Sequence, residues 1–129
     1  MKQPRPIIFV NGKLVTPEGV VEGTLRIADG MIASIGAGEA QPDDKVVDAK
    51  GKLVVPGIVD LGVFAVDKPA FHFGGISRAA LMPDQSPPLD LPSRVNYIAK
   101  SGKPDLWVHP LAAATRGLGG EELGEVALM

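Results

Sequence analysis

Short apolar runs separated by turn dipeptides fill the first 55 residues of this 129-residue chain, and this pattern most constrains its fold. Asn-Gly and Asp-Gly dipeptides between apolar runs are strong signals of two-residue hairpin turns. Three hairpins are expected: residues 7–10 with 13–15 across Asn11-Gly12, 24–27 with 31–35 across Asp29-Gly30, and 45–48 with 52–55 across 49–51. The pattern therefore predicts an antiparallel β subdomain over residues 1–55, a small β-sandwich-like sheet.

From Pro56 onward the pattern changes to strand, loop, strand and helix. The expected elements are strands at 58–64, 76–82 and 106–108, and helices at 92–100 and 121–129. The first of these strands is apolar enough to be a parallel strand buried on both faces. Only residues 65–75 separate it from the second strand, and they contain Pro69, Gly74 and Gly75. A normal covering helix is not expected there, so either the two strands are not parallel neighbours or a barrel unit has lost its helix.

Composition excludes several classes of protein. With 45% hydrophobic residues and a net charge of −2, the chain does not resemble an intrinsically disordered protein. A balance of 13 basic against 15 acidic residues argues against nucleic acid or an anionic membrane as a partner. The chain has no cysteine, which excludes disulfides, thiolate metal sites and a cysteine nucleophile. No apolar run approaches the length of about 20 residues that a membrane helix needs, and we expect a cytoplasmic protein.

The most specific string is VPGIVDLGVF at residues 55–64. It resembles the strand P-G-[ILF]-[IV]-D-x-H-x-H of the amidohydrolase superfamily, and of its dihydroorotase branch in particular. In that family this strand ends a small β domain and begins a zinc-dependent (β/α)8 barrel, and its two histidines hold metal. Gly62 and Phe64 stand where the family has histidine, and neither side chain can coordinate zinc. The resemblance therefore implies that this chain has neither the zinc cofactor nor catalytic residues.

Two further strings continue the resemblance in the order of the family. Residues 82–90, MPDQSPPLD, are similar to the dihydroorotase stretch M-P-N-T-x-P-P-x-D, and residues 114–123, ATRGLGGEEL, resemble x-T-K-G-L-x-G-x-E-L. In active members the asparagine of the first stretch helps to hold the substrate carboxylate. The resemblance makes Asp84 the corresponding substrate-binding position, although its carboxylate would repel such a substrate. Val66 replaces the arginine that the family carries just beyond the second histidine.

The resemblance also implies the domain organisation. A full (β/α)8 barrel takes roughly 250 residues. Residues 56–129 have room for about three of its strands, so the expected fold is α/β, with the antiparallel subdomain followed by the first strands and helices of an incomplete barrel. The family's remaining metal ligands and its catalytic aspartate come from later strands.

An independent metal site is the other chemistry that the residues could offer. His72 and His109 could share a metal ion with Asp60 or Asp84. Nothing in their spacing resembles a known metal-ligand pattern, and two unrelated histidines are the favoured interpretation. The glycine-rich residues 117–120 precede a predicted helix and could hold an anion on their N–H groups, although a loop shared with the family is the simpler interpretation.

Three functions stay open from the sequence. The first is dihydroorotase by descent, which is cyclic amide hydrolysis in pyrimidine biosynthesis, with this chain expected to be inactive. The second is a non-catalytic homologue that acts as a structural partner of aspartate transcarbamoylase. The third is a fragment with no function of its own. Because an incomplete barrel leaves strand edges and apolar surface open, we expect a homo-oligomer or a partner protein.

Overall fold

Two separate sheets organise the chain. The computed structural model describes residues 5–129, which divide into a first unit ending at Pro56 and a second unit, Gly57–Met129. The strands of the first unit are β1 Ile7–Thr16, β2 Gly19–Ala28, β3 Met31–Gly36, β4 Lys45–Asp48 and β5 Leu53–Val54. The elements of the second unit are β6 Ile58–Val63, α1 Lys68–Gly74, β7 Ile76–Leu81, α2 Pro92–Ser101 and β8 Trp107–Pro110, followed by single 3-10 turns at Arg116–Leu118 and Val126–Leu128.

The first unit is one mixed five-stranded sheet. Its strand order is β3-β2-β1-β4, and β5 also pairs with β1. The β1–β2 and β2–β3 pairs are antiparallel, whereas β4 and β5 both run parallel to β1. The prediction of a wholly antiparallel, sandwich-like subdomain is therefore wrong in both respects.

The three expected hairpins have different outcomes. The Asp29-Gly30 turn is confirmed, because Ala28 pairs with Met31 and both turn residues have positive φ, as the favoured hairpin turn requires. The Asn11-Gly12 hairpin is wrong. β1 continues through this dipeptide, and the left-handed Asn11 (φ 54°) lies at a register shift instead of a turn. β1 turns into β2 only after Thr16, which pairs with Gly19.

The third hairpin is also wrong, because β4 and β5 do not pair with each other. Both add to the same edge of β1, which is long enough to take one short strand after the other. The corner between them is held at the irregular part of β1: the Ala49 N–H donates to the Val10 carbonyl at 2.9 Å, and the Gly51 N–H donates to the Asn11 carbonyl at 2.7 Å. Long-range pairing thus replaced the local pairing that the sequence suggested.

A buried ion pair fastens the loop before β4 to the first sheet. The Arg26 Nε lies 3.0 Å from both carboxylate oxygens of Asp44, whose side chain is fully buried. The hydrogen bond from Arg26, together with one from the Gln41 N–H, holds the pKa of Asp44 below its ordinary value. The loop is therefore held by a carboxylate that stays ionised.

The second unit is a parallel sheet in the order β6-β7-β8 with both helices on one face. The core between sheet and helices consists of Val63, Ala79, Leu81, Leu89, Val95, Leu106 and Val108, with Phe71 of α1 and Ile98 of α2 packed against it. Because side chains alternate along a strand, the opposite, helix-free face carries Arg78 and Ala80 of β7 and Trp107 and His109 of β8. The expected strands near 58–64, 76–82 and 106–108 and the helix at 92–100 are confirmed.

Both expectations for the connection between β6 and β7 are wrong. The two strands are parallel neighbours, and the seven-residue helix α1 joins them. Asp67 caps its first turn by accepting a hydrogen bond from the Ala70 N–H at 3.1 Å, and Gly75, with φ 72°, ends it. The proline and glycines that argued against a helix lie at its two ends, where such residues are favoured.

Two other predictions are wrong. β6 is not buried on both faces: Leu61 is 79% exposed, and Val63 alone belongs to the core. Residues 121–129 do not form a helix, because the chain folds back and Thr115 pairs with Leu123 in an isolated bridge. Among residues 5–129, no helix is long and apolar enough to cross a membrane.

Candidate functional site

The carboxyl-terminal edge of the second sheet brings the three motif segments together. The chain leaves β6, β7 and β8 at this edge, and main-chain hydrogen bonds hold the exits side by side. The Met82 N–H donates to the Val63 carbonyl at 2.9 Å, and the Leu111 N–H donates to the Leu81 carbonyl at 2.8 Å. In (β/α)8 proteins the active site lies at this edge. We therefore take this edge, with the loops that follow the strands, as the candidate site.

Gln85 connects the first motif to the second. Its Nε2 donates to the Phe64 carbonyl at 3.2 Å and to the Met82 carbonyl at 3.0 Å. One amide group therefore holds the chain just after β6 against the chain just after β7. Sequence reasoning gave Gln85 no role, because a single glutamine in a loop carries no signal of its partners.

Asp90 connects the second motif to the third. It is 8% exposed, accepts a hydrogen bond from the Gly117 N–H at 2.8 Å, and pairs with Arg94 in the first turn of α2. Arg94 also donates to the Pro88 carbonyl at 3.0 Å. The Gly117 N–H holds the pKa of Asp90 below its ordinary value, with Arg94 adding to the effect against the cost of burial. The acid–arginine spacing of four residues was the one sequence signal of this pairing.

The glycine-rich loop uses its own N–H groups internally. Besides the Gly117 N–H bound to Asp90, the Gly119 N–H donates to the Arg116 carbonyl at 3.0 Å and the Gly120 N–H donates to the Thr115 hydroxyl at 3.1 Å. These three groups already have partners within the chain. The hypothesis that they hold an external anion is therefore not supported by their geometry.

The family's two histidine positions lie at the end of β6. Gly62 presents only its backbone, and its N–H donates to Asp60 Oδ1 at 3.0 Å. A Cβ built at Gly62 would have no neighbour within 4 Å, so a larger side chain would have room there. Phe64 is 67% exposed and has no lone pair to donate. The residues at these two positions do not fit a zinc ion, because zinc takes nitrogen, sulfur or oxygen ligands.

The remaining candidate residues do not assemble into a metal site. Asp84 lies in the exposed part of the loop after β7. His72 is on α1, on the helix-covered side of the sheet, whereas His109 is on the helix-free face beside Arg78. Within residues 5–129, no group of three or more histidine, aspartate or glutamate side chains could hold a metal ion. The hypothesis of a site shared by the two histidines is wrong, since the sheet lies between them.

Comparison with known proteins assigns the chain to a family. No family model matches the sequence. The dihydroorotase of Pelotomaculum thermopropionicum is 34% identical over 139 aligned positions, which cover 95% of this chain and 32% of the relative. The dihydroorotase of Geobacillus sp. strain WCH70 is 33% identical, with 95% of this chain and 33% of the relative covered. The chain is a dihydroorotase-like member of the amidohydrolase superfamily. It spans about a third of the length of these curated relatives.

Solved structures support the same fold for this dihydroorotase-like chain. The L-hydantoinase (dihydropyrimidinase) of Arthrobacter aurescens matches with a TM-score of 0.72 and 24% identity, over 87% of this chain and 28% of the hydantoinase. A prolidase crystallised with N-methylphosphonate-L-proline matches with a TM-score of 0.58 and 14% identity, over 85% of this chain and 32% of the prolidase. The family assignment that the three motifs suggested is confirmed. Members of this superfamily are generally metal-dependent. The residues at positions 62 and 64 therefore bear directly on whether this chain can hold a metal ion.

Proposed function

We propose that this dihydroorotase-like chain is a non-catalytic homologue, which keeps the scaffold of the site edge and lacks its metal ligands. The observation that carries the proposal is the pair Gly62 and Phe64 at the end of β6. Gly62 lies near the end of β6 and Phe64 is the first residue after it, so both donors of the family's motif are missing at the exit of this strand. Cyclic amide hydrolysis in this family depends on a hydroxide generated by a bound metal, and these two positions offer that metal no donor atom.

A second feature supports inactivity. The proposed substrate-binding position holds Asp84, whose exposed carboxylate repels a carboxylate-bearing substrate. The loops around it are nonetheless well tied by Gln85 and Asp90. The site edge therefore has contacts that hold its loops in place, but it lacks the side chains that would bind metal and substrate.

The proposal includes the fold as a segment of a barrel. The described second unit provides three parallel strands and two helices on one face, which corresponds to the opening strands of the eight in a (β/α)8 barrel. The first unit then corresponds to the small β domain of the family. The alignments run over 139 positions although the chain has 129 residues, so the relatives carry residues that have no counterpart here.

The role that we propose is structural, as a homo-oligomer or as a partner of a protein such as aspartate transcarbamoylase. Within the described residues, β6 and β8 each pair with one strand only, and Leu61 and Phe64 leave large apolar side chains in water. Open edges and apolar patches of this kind favour association. A cytoplasmic location belongs to the same proposal, and the absence of cysteine is compatible with it.

An activity assay with restored histidines tests the catalytic part. The purified chain, the double variant Gly62→His/Phe64→His and the matched control Gly62→Ala/Phe64→Leu are incubated with dihydroorotate and excess zinc. We expect no hydrolysis by the unmodified chain or the control. Hydrolysis by the unmodified chain above the no-protein rate, removed by a chelator, would overturn the proposal. Activity that appears only in the double variant would support it, because it would tie the inactivity of the unmodified chain to the two missing donors.

Light scattering coupled to size-exclusion chromatography tests the structural part. We expect either a defined oligomer or a stable complex with aspartate transcarbamoylase. A monomer at high concentration that forms no such complex contradicts the structural role and favours a fragment with no function of its own.

A further inference from the structure

A basic and aromatic cluster lies on the helix-free face of the second sheet, and the proposed function makes no use of it. We call Arg78, Lys103, Trp107 and His109 the basic-aromatic cluster. Arg78 of β7 and Trp107 of β8 are register partners, and the guanidinium carbon lies 5.0 Å from the centroid of the indole ring. The Lys103 Nζ, from the loop before β8, lies 4.4 Å from the same ring. Two cations therefore contact one tryptophan.

The cluster has more donors than acceptors. Arg78 Nη1 lies 3.4 Å from His109 Nε2, a long contact in which the imidazole nitrogen has to accept, because a guanidinium can only donate. Within residues 5–129, the ion pairs are Lys13–Glu22, Arg26–Asp44, Arg94–Asp90 and Arg116–Glu122. Neither cation of the cluster is paired with a carboxylate there.

A contribution to stability does not by itself explain why two cations lie against one ring. The ring attracts each cation through its electron-rich face but does not neutralise either charge, and the two cations repel each other. An anion placed against the remaining N–H groups of Arg78 would satisfy free donors and offset the repulsion between Arg78 and Lys103. A guanidinium fork matches the planar, two-oxygen geometry of a carboxylate.

The indole adds an apolar surface beside the charges. Trp107 is 45% exposed even with both cations against it. A ligand that combines a carboxylate with a small apolar body can contact both the donors and the ring, whereas inorganic phosphate can use only the donors. We propose that the basic-aromatic cluster binds a small organic carboxylate, with its carboxylate on Arg78 and its apolar body against Trp107. The site is separate from the loop that carries Asp84, and it does not depend on the loss of the metal ligands.

Trp107 provides a direct test because it is the single tryptophan of the chain. Its fluorescence is followed at low ionic strength during titration with cyclohexanecarboxylate, with the neutral cyclohexanecarboxamide and with inorganic phosphate. We expect a saturable change with the carboxylate, at least about tenfold weaker binding of phosphate, and no saturable change with the amide. A change that grows linearly without saturation, or equal binding of the neutral amide, would overturn the proposal.

Charge-neutralising variants locate the binding. Arg78→Gln should weaken carboxylate binding by at least about tenfold, and Lys103→Gln, which removes an exposed cation in a loop, by about two- to threefold. Lys100→Gln is the matched control, because it removes one exposed positive charge from α2 without touching the ring. An equal loss in Lys100→Gln would mean a general charge effect and would contradict the assigned site, as would unchanged binding by Arg78→Gln.

A second readout guards against a folding defect in the Arg78 variant. The two histidine ring-proton signals are followed by NMR in the unmodified chain during the same titration. We expect the His109 signal to move with the fluorescence, while the His72 signal, from the other side of the sheet, stays in place. Movement of His72 alone, or of neither signal, contradicts binding at the cluster.

Discussion

The two faces of the β6–β7–β8 sheet differ in what their side chains can do. On the helix-covered face, Ala79, Leu81 and Val108 are buried and form the core with α1 and α2. On the helix-free face, Arg78 and His109 are exposed and Trp107 is half-exposed. A closed (β/α)8 barrel fills that second face with layers of large branched side chains. The comparison indicates that this dihydroorotase-like chain packs both helices on one face of the sheet and presents charged and aromatic groups on the other.

The largest effect is expected from the covered face. Leu81→Ala removes a side chain that is 2% exposed, and should lower the free energy of unfolding by about 2–5 kcal/mol through lost burial and a cavity. Urea unfolding followed by circular dichroism measures it. The control is Leu61→Ala, at a site that is 79% exposed, where the change should stay within about 0.5 kcal/mol. Equal losses would mean that Leu61 is covered in solution and would contradict its exposed position in the structure.

A pair of glycines sharpens the same comparison. A Cβ at Gly102, where α2 ends, would clash with the Leu106 carbonyl oxygen, so Gly102→Ala should lower the free energy of unfolding by about 1–3 kcal/mol. A Cβ at Gly62 meets nothing within 4 Å, and Gly62→Ala should be tolerated. Thermal unfolding of both variants provides the measurement. A larger loss at Gly62 than at Gly102 would contradict the open position that we assign to the end of β6.

Asp90 should give the site edge a pH-dependent stability. Its folded pKa is lowered, so its contribution is present above the ordinary aspartate value of about 3.9 and is lost as the pH falls through the lower folded value. The melting temperature of Asp90→Asn should therefore lie several degrees below that of the unmodified chain near neutral pH, with the gap closing in acid. Asp84→Asn controls for the loss of one negative charge. A gap that persists unchanged in strong acid would show that Asp90 acts by shape and not by charge.

The smallest effect is expected from the exposed pair of the glycine-rich loop. Arg116 and Glu122 lie 3.0 Å apart with side chains 50% and 67% exposed. Arg116→Gln should change the free energy of unfolding by less than about 0.5 kcal/mol at ordinary salt, because water and ions screen such a pair. Urea unfolding at low and high salt checks this. A loss above 1 kcal/mol would mean that the loop is held mainly by this pair and not by Asp90.

The sequence predicted those elements whose signals are local. The Asp29-Gly30 turn, the strands of the second unit and α2 could be found because turn chemistry, apolar runs and a glycine stop act over a few residues. The pairing of β4 and β5 with β1 could not be predicted from local signals. It depends on β1 having a second edge, opposite β2, that is long enough for both strands. Helix α1 was missed because Pro69 and Gly75 were interpreted as breakers, although they act as its first-turn and end residues.

The candidate site was predictable in its motifs and not in its contacts. The strings around Gly62, Asp84 and Gly117 gave the family and the missing donors. The side chains that tie these strings together are Gln85 and Asp90, and their partners lie 21 and 27 positions away along the chain. Contacts of that kind depend on the folded sheet, which brings the loops to one edge. The same limit applies to the basic-aromatic cluster, whose members become neighbours only through the register of β7 with β8.

The most direct test of the central claim is the zinc content of the unmodified chain. The protein is incubated with excess zinc, separated from free metal by gel filtration, and analysed for bound zinc beside the Gly62→His/Phe64→His variant. We predict far less than one zinc per unmodified chain and a higher zinc content in the double variant, because only the variant has two donors at the end of β6. One tightly held zinc per unmodified chain would contradict this claim, since it would require a set of ligands that residues 5–129 do not bring together.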